Sequence, residues 1–446
     1  MLGLSSELAA FWLFLPVTVA LICAQLVILS VAHSIVFDMR ILHTSDWHVG
    51  RTFHGHQTLE HLGEVLRALA DLVSAHQVDV VVIAGDVFDS AVPNAAATEL
   101  LGQILSRIIR SGAQVVLTSG NHDSASRLGY LANFTAASGL HICTDPTRLD
   151  TPITIADPSG GEVLFFGIPF LEPTMIRHLA PGVEIENQVG ALCWALDRIR
   201  NVVPKEARYV VVAHTFVVAG GTVADRTNAD KYDADNVADD ARTSAFDTDK
   251  TASALDAPRD FTRGGVDCVP ATVFHGASYV ALGHVHGRQQ INERVRYSGA
   301  PLYYSFGEEG RKRGAWLVEL ASDGQLVTDW LELPIPRPIK HLTGKLTQLL
   351  TDSAFTEFTN HWLKATLTDN TRPVDAMRLL QQRFPYCAEV EYRPTNQFND
   401  GQQSYAARIK SLTDAEITDK FLAHVRNGEG ATPTEAKLIS ALIQAS

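Results

Sequence analysis

Val80-Val81-Val82-Ile83-Ala84-Gly85-Asp86 is a run of five apolar residues that ends on a glycine and a carboxylate. A strand buried on both faces reads as such an uninterrupted run, and in layered α/β proteins sites gather outside the carboxyl ends of the strands. Four more runs end the same way. Ile41-Leu42-His43-Thr44-Ser45 leads into Asp46-Trp47-His48, and Val115-Val116-Leu117-Thr118-Ser119 leads into Gly120-Asn121-His122-Asp123. Tyr209-Val210-Val211-Val212-Ala213 leads into His214, and Tyr279-Val280-Ala281-Leu282 leads into Gly283-His284-Val285-His286.

These endings supply Asp, His and Asn, the residue types of a two-metal phosphoester hydrolase. Such a site needs a carboxylate bridge, neutral nitrogen and oxygen ligands, and open positions, with two ions roughly 3.5–4 Å apart clamping the attacking and leaving oxygens. Asp86 is the best bridge candidate, because its strand is the most apolar and Gly85 permits a tight turn before it. Asp46 and His48 lie two apart, as do His284 and His286, so in extended backbone each pair points the same way. Imidazole with carboxylate suits Mn, Fe or Zn better than Mg or Ca. His122 is a candidate general acid, with Asp123 as its orienting carboxylate, since the ordinary histidine pKa of about 6.5 suits proton transfer near neutrality. Each piece has a plainer reading: a structural histidine, Asp86 and Asp89 capping the next helix, or Asn121-His122-Asp123 as a mere turn. Five coincidences at five strand ends are hard to obtain by packing alone.

As a set, Asp46-x-His48, Gly85-Asp86, Gly120-Asn121-His122-Asp123, His214 and Gly283-His284-x-His286 resemble the signature of the calcineurin-like metallophosphoesterase family. The text Thr44-Ser45-Asp46-Trp47-His48, Ala84-Gly85-Asp86-Val87-Phe88-Asp89, Ala281-Leu282-Gly283-His284-Val285-His286-Gly287, Gly265-Val266-Asp267 and Tyr297-Ser298-Gly299-Ala300-Pro301 is closer still to its SbcD nuclease-subunit branch. The resemblance is strong over residues 39–335 and weak beyond. It implies a four-layer αββα metallophosphoesterase sandwich, a small α+β capping domain and a helical C-terminal tail. It implies one ion held by Asp46, His48, Asp86 and His286, and another held by Asp86, Asn121, His214 and His284. His122 would be catalytic without being a primary ligand. It further implies two divalent ions, most often Mn2+, and exonuclease and hairpin-opening endonuclease cleavage of DNA in repair and recombination. The implied partner is an SbcC-type SMC-like ATPase, in a heterotetramer with two copies of each subunit. A phosphoesterase for small molecules or phosphoproteins is the alternative.

Composition agrees with a globular chain of two or three domains, since 446 residues carry 46% hydrophobic and 20% charged residues. The five cysteines show no Cys-x-x-Cys spacing and are odd in number, which points to a reducing, cytoplasmic compartment rather than a disulfide framework. The net charge of −13 is unlike the basic footprint of a nucleic-acid binder. The segment 225–260, polar and rich in Asp, holds −5 of it and reads as a surface insertion. Arg288 and Arg311-Lys312-Arg313 are the candidates for a local basic patch.

Residues 1–38 differ in character from the rest of the chain. The stretch between Glu7 and Asp38 has no charged residue and is long enough to cross a bilayer, yet no Lys or Arg precedes it. The first strand begins at once at Met39. An upstream start, with Met39 as the true first residue, is the expected reading, ahead of a membrane anchor or a packed helix, and no membrane partner is expected. The catalytic domain is expected over 39–335, with helices at Leu59–His76 and Thr98–Arg110 and a hairpin closing at Ser322-Asp323-Gly324. Pro334, Pro336 and Pro338 mark an extended linker. An accessory domain is expected over 336–410, with strands at Trp362–Leu367 and Ala388–Tyr392 around a Pro373–Phe384 helix. The tail, 411–446, reads as helices Asp414–Arg426 and Pro433–Ala445, with Thr432 as a cap.

Overall fold

The computed structural model describes residues 39–158, 161–219, 268–395, 412–426, 428 and 430–445. The expected start at Met39, the N-terminal apolar stretch and the acidic segment 225–260 bear on residues outside this set.

Two six-stranded sheets lie face to face. The first runs Leu326–Glu332, Gly314–Leu320, Met39–Thr44, Val80–Ala84, Gln114–Thr118, Leu140–Cys143. The second runs Gln289–Gln290, Val295–Tyr297, Tyr279–Gly283, Arg208–His214, Glu162–Ile168, Ile153–Ala156. In the first sheet Met39–Thr44, Val80–Ala84, Gln114–Thr118 and Leu140–Cys143 run parallel to one another, so their carboxyl ends emerge on one side. Arg208–His214 and Tyr279–Gly283 are likewise parallel, with His214 opposite Gly283.

Side-chain alternation explains the layers. Val80, Val82 and Ala84 pack with Val210, Val212, Tyr279 and Ala281 in the core between the sheets. Val81 and Ile83 point the other way, into a core shared with the helices Leu59–Ala75 and Ala95–Arg110. Val211, Val280 and Leu282 face the helix Gln188–Val202 on the far side. All five residues of Val80–Ala84 are fully buried, which is why the run carries no polar residue. The result is an αββα sandwich.

Both expected helices form, and the second starts earlier, at Ala95, because Asn94 caps it by accepting from Ala97 N. The Gly314–Leu320 and Leu326–Glu332 strands form the expected hairpin. Beyond the linker, Ile339–Gly344, Trp362–Leu367 and Cys387–Tyr392 make a three-stranded parallel sheet. The helix expected at Pro373–Phe384 spans Ala376–Arg383, and a second helix, Leu346–Thr351, shares its core. The unit meets the sandwich through Phe53, Tyr303, Ile339 and Trp362. The tail forms the helices Asp414–Val425 and Pro433–Ala445. Thr413 with Glu416 and Thr432 with Glu435 each exchange bonds reciprocally at the helix starts. No helix among the described residues is long and apolar enough to cross a membrane.

Candidate metal centre

The strand ends of both sheets converge over the seam between them. Asp46 and His48 leave the first sheet at Thr44, Asp86 at Ala84, and Asn121 and His122 after Thr118. His214 ends its strand in the second sheet, and His284 and His286 follow Gly283. The structure therefore gathers all seven expected donors.

The convergence does not come from strand alternation. Asp46, His48, Asp86 and His284 have φ of 52°, 45°, 46° and 104°. Non-glycine residues rarely occupy that region, and such strain persists where surrounding structure over-determines it. Asp46 and His48 thus share a site through a left-handed turn, not through the extended segment expected. The turn is held by bonds between two loops, with Asp46 N donating to Gly85 O at 3.1 Å and His48 N to Asp86 O at 2.9 Å. Gly120 is obligatory beside it, since a β-carbon there would collide with the Asp86 carboxylate and backbone.

Asp86 sits at the middle. Its Oδ2 lies 3.5 Å from His48 Nε2 and 3.4 Å from His214 Nε2, and its Oδ1 accepts from His122 N at 2.9 Å. On one side, His48 Nε2 and His286 Nε2 face each other at 3.1 Å. On the other, Asn121 Oδ1 lies 3.1 Å from His214 Nε2 and 3.2 Å from His284 Nδ1, and those two nitrogens are 3.3 Å apart. Asp46 is aimed by Ser45, whose hydroxyl donates at 2.5 Å, and by His284 N at 2.9 Å. His214 Nδ1 meets Ala84 O at 2.9 Å, which leaves Nε2 for the cluster. The nitrogen and oxygen atoms turned toward one another fit a pair of cations, because each imidazole nitrogen and the amide oxygen has a lone pair that a metal can take. Ligating atoms of Asp46, His48 and His286, of Asp46, Asp86 and His214, and of His48, Asp86 and His122 lie mutually within 4.8 Å. His122 is therefore within ligand range as well.

Burial would push the Asp86 carboxyl up, but the His214 and His48 charges and the bonds from His214 and the His122 N–H outweigh it and hold it below the usual carboxylate range. For Asp46 burial wins, against the pull of His214 and His286, and its carboxyl is raised. Burial lowers His48 to about 4 and, with the His214 charge, His284 to about 3.

Asp123 does not orient His122. Its carboxylate accepts from Val87 N at 3.0 Å, Phe88 N at 2.8 Å and Gly120 N at 2.9 Å, tying together the loops that carry Asp86 and Asn121. Burial, partly offset by the Phe88 and Gly120 N–H groups, pushes it up to about 6. His122 is held by the Asp89 carbonyl, 3.0 Å from its Nδ1, and its side chain is 32% exposed. Asp89 also places Oδ1 at 3.3 Å from His48 Nδ1, and it caps no helix. The basic triplet divides: Lys312 is exposed and pairs with Glu332, whereas Arg313 is buried against Glu308 and is no part of a surface patch. Arg288 is exposed, stacked 4.5 Å from the Trp316 ring centroid and 4.7 Å from that of Trp330. Sequence reading missed the roles of Asp89 and Glu308. Asp89 stands inside the motif that begins at Ala84, while Glu308 lies in a short turn with no local signal.

Residues 39–288 match the calcineurin-like phosphoesterase family, more than half of the chain. Residues 335–426 match the SbcD C-terminal domain, described as the Type 5 capsule protein repressor C-terminal domain. Among solved structures, a dimetal phosphatase from Danio rerio is 12% identical with a TM-score of 0.36, the match covering 66% of this chain and 96% of that one. GAP50, the anchor in the inner membrane complex of Plasmodium, is 12% identical with a TM-score of 0.31, covering 80% of this chain and 98% of that one. The two family matches carry the assignment: the chain belongs to the calcineurin-like phosphoesterase family and, with its C-terminal domain, is of the SbcD type.

Proposed function

We propose that this chain is the nuclease subunit of a DNA end-processing complex, cleaving phosphodiesters with two divalent ions, Mn2+ the expected pair. The observation that carries the reading is the convergence of all seven donors around Asp86 in a chain that also has the SbcD-type C-terminal domain. Asp46, His48, Asp86 and His286 would hold one ion, and Asp86, Asn121, His214 and His284 the other. When bound, such ions supply Lewis-acid stabilisation of the charge that builds on the phosphoryl oxygens.

The protein's own part is positional and protonic. Asp123 fixes the two loops that present Asp86 and Asn121. His122 gives its Nδ1 to the Asp89 carbonyl, which leaves Nε2 to carry a proton to the leaving oxygen. The helical tail leaves Phe421, Leu438 and Leu442 exposed, which supports docking on an SMC-like ATPase, in a complex with two copies of each subunit. The cytoplasm is the compartment favoured by an odd number of cysteines without Cys-x-x-Cys spacing. The net charge of −13 favours the second reading, a phosphoesterase for small molecules or phosphoproteins. Cleavage of a labelled DNA hairpin by the full chain with Mn2+, with and without the ATPase partner and ATP, tests the choice. Hairpin opening supports the nuclease; turnover of a generic phosphodiester dye without DNA cleavage supports the alternative.

A further inference from the structure

Glu308 lies outside the seven donors and outside every strand-end motif. It is nonetheless 3% exposed, on a turn beside the cluster. Its Oε1 lies 3.6 Å from His286 Nδ1. Its Oε2 accepts from Tyr304 N at 3.0 Å and from the Arg313 guanidinium. The same guanidinium reaches the backbone of His286, Arg313 Nη1 donating to His286 O at 2.6 Å. One buried ion pair therefore bears on both the ring and the backbone of a single donor residue. The opposite ring nitrogen, Nε2, faces His48 Nε2 at 3.1 Å inside the cluster.

The other half of the cluster is built differently. His214 rests its Nδ1 on a neutral acceptor, the Ala84 carbonyl, at 2.9 Å. A carboxylate behind an imidazole is the stronger acceptor; it fixes the tautomer and raises the basicity of the nitrogen on the far side. A buried ion pair adds little stability by itself, since desolvation offsets most of the attraction. Its place against His286 suggests a role at the site.

We propose that Glu308 is a positioning residue for His286. Its carboxylate holds the proton on Nδ1, keeps Nε2 bare toward Asp46 and His48, and so sets the affinity of that half of the centre for its ion. The half built from Asn121, His214 and His284 does not depend on it. This inference rests on the two-ion reading of the cluster.

Calorimetric titration of Mn2+ into the metal-free full chain tests it, wild type beside Glu308→Gln, with the denaturation midpoint of each metal-free protein. Wild type should take up two ions. The variant should keep one site unchanged and bind at the other roughly 10–100-fold more weakly. Identical affinities in the two proteins would overturn the role of Glu308 and leave the two-ion reading standing. Equal weakening of both sites with a lowered midpoint would mean general support of the fold, and would also overturn it. A wild type that binds fewer than two ions would overturn the two-ion reading, and this inference with it. Should Glu308→Gln fail to fold, the 15N shifts of the His286 ring in metal-free wild type decide: a proton on Nδ1 is expected, and one on Nε2 refutes the proposal.

Discussion

At His214 burial lowers the affinity for a proton, but the Asp86 charge and hydrogen bond raise it further, with help from Asp46, and the pKa is pushed up to about 9. The metal-free chain therefore carries a proton there near neutrality, and an ion arriving at Nε2 must displace it. Apparent metal affinity should rise with pH up to about 9, and binding should release protons. Calorimetry in two buffers of different ionisation enthalpy checks this; a binding enthalpy independent of buffer would contradict it. At His122 the expectation is separate. His122→Ala should retain metal and stability while lowering phosphodiester cleavage by roughly 10²–10⁴-fold, as loss of a general acid does. Unchanged cleavage would remove His122 from the mechanism. The gathering of these seven residues was legible because each closely follows an apolar run. Their supports were not: Asp123 and Glu308 act across loops on residues distant in sequence, and such contacts leave no local pattern. The left-handed turns at Asp46 and His48 were equally hidden, because nothing in Asp-x-His distinguishes a turn from a strand.

At the scale of elements, one buried histidine links the two sheets beneath the site. His43, on Met39–Thr44, places Nδ1 at 2.8 Å from Tyr279 Oη and Nε2 at 3.1 Å from Leu282 O, both on the facing Tyr279–Gly283 strand. Burial, only partly opposed by the Leu282 carbonyl, lowers its pKa to about 3. The folded pKa lies below the unfolded one, so the stability it contributes is present above about pH 6.5 and is lost as pH falls toward 3. The loss should be on the order of 1.4 kcal/mol for each pH unit below about 6.5. Urea denaturation of the metal-free chain at pH 7.5 and pH 5.5 should show a loss larger by about that amount in wild type than in His43→Gln, because His48 and His284 contribute to both proteins; equal losses would contradict it. Helix spacing was legible where one face is uniformly apolar, as in Leu62, Val65, Leu66, Leu69 and Val73. The strand Ile339–Gly344 was not, because only Ile339, Leu342 and Gly344 are buried and polar residues stand between them.

At the scale of the molecule, the sandwich brings strand ends from two different sheets to one seam. The sequence displayed the five ends in order but not their division, three in the first sheet and two in the second. Parallel strands pair at long sequence separation, so partition between sheets is a property of packing and leaves no mark on any one strand. The central claim is that Asp86 joins two ions at that seam. Anomalous diffraction from crystals of the full chain grown with Mn2+ tests it most directly. The account predicts two peaks roughly 3.5–4 Å apart, both within coordination distance of the Asp86 carboxylate, one beside His48 and His286 and the other beside His214 and His284. A single peak, or two peaks that do not share Asp86, would contradict it.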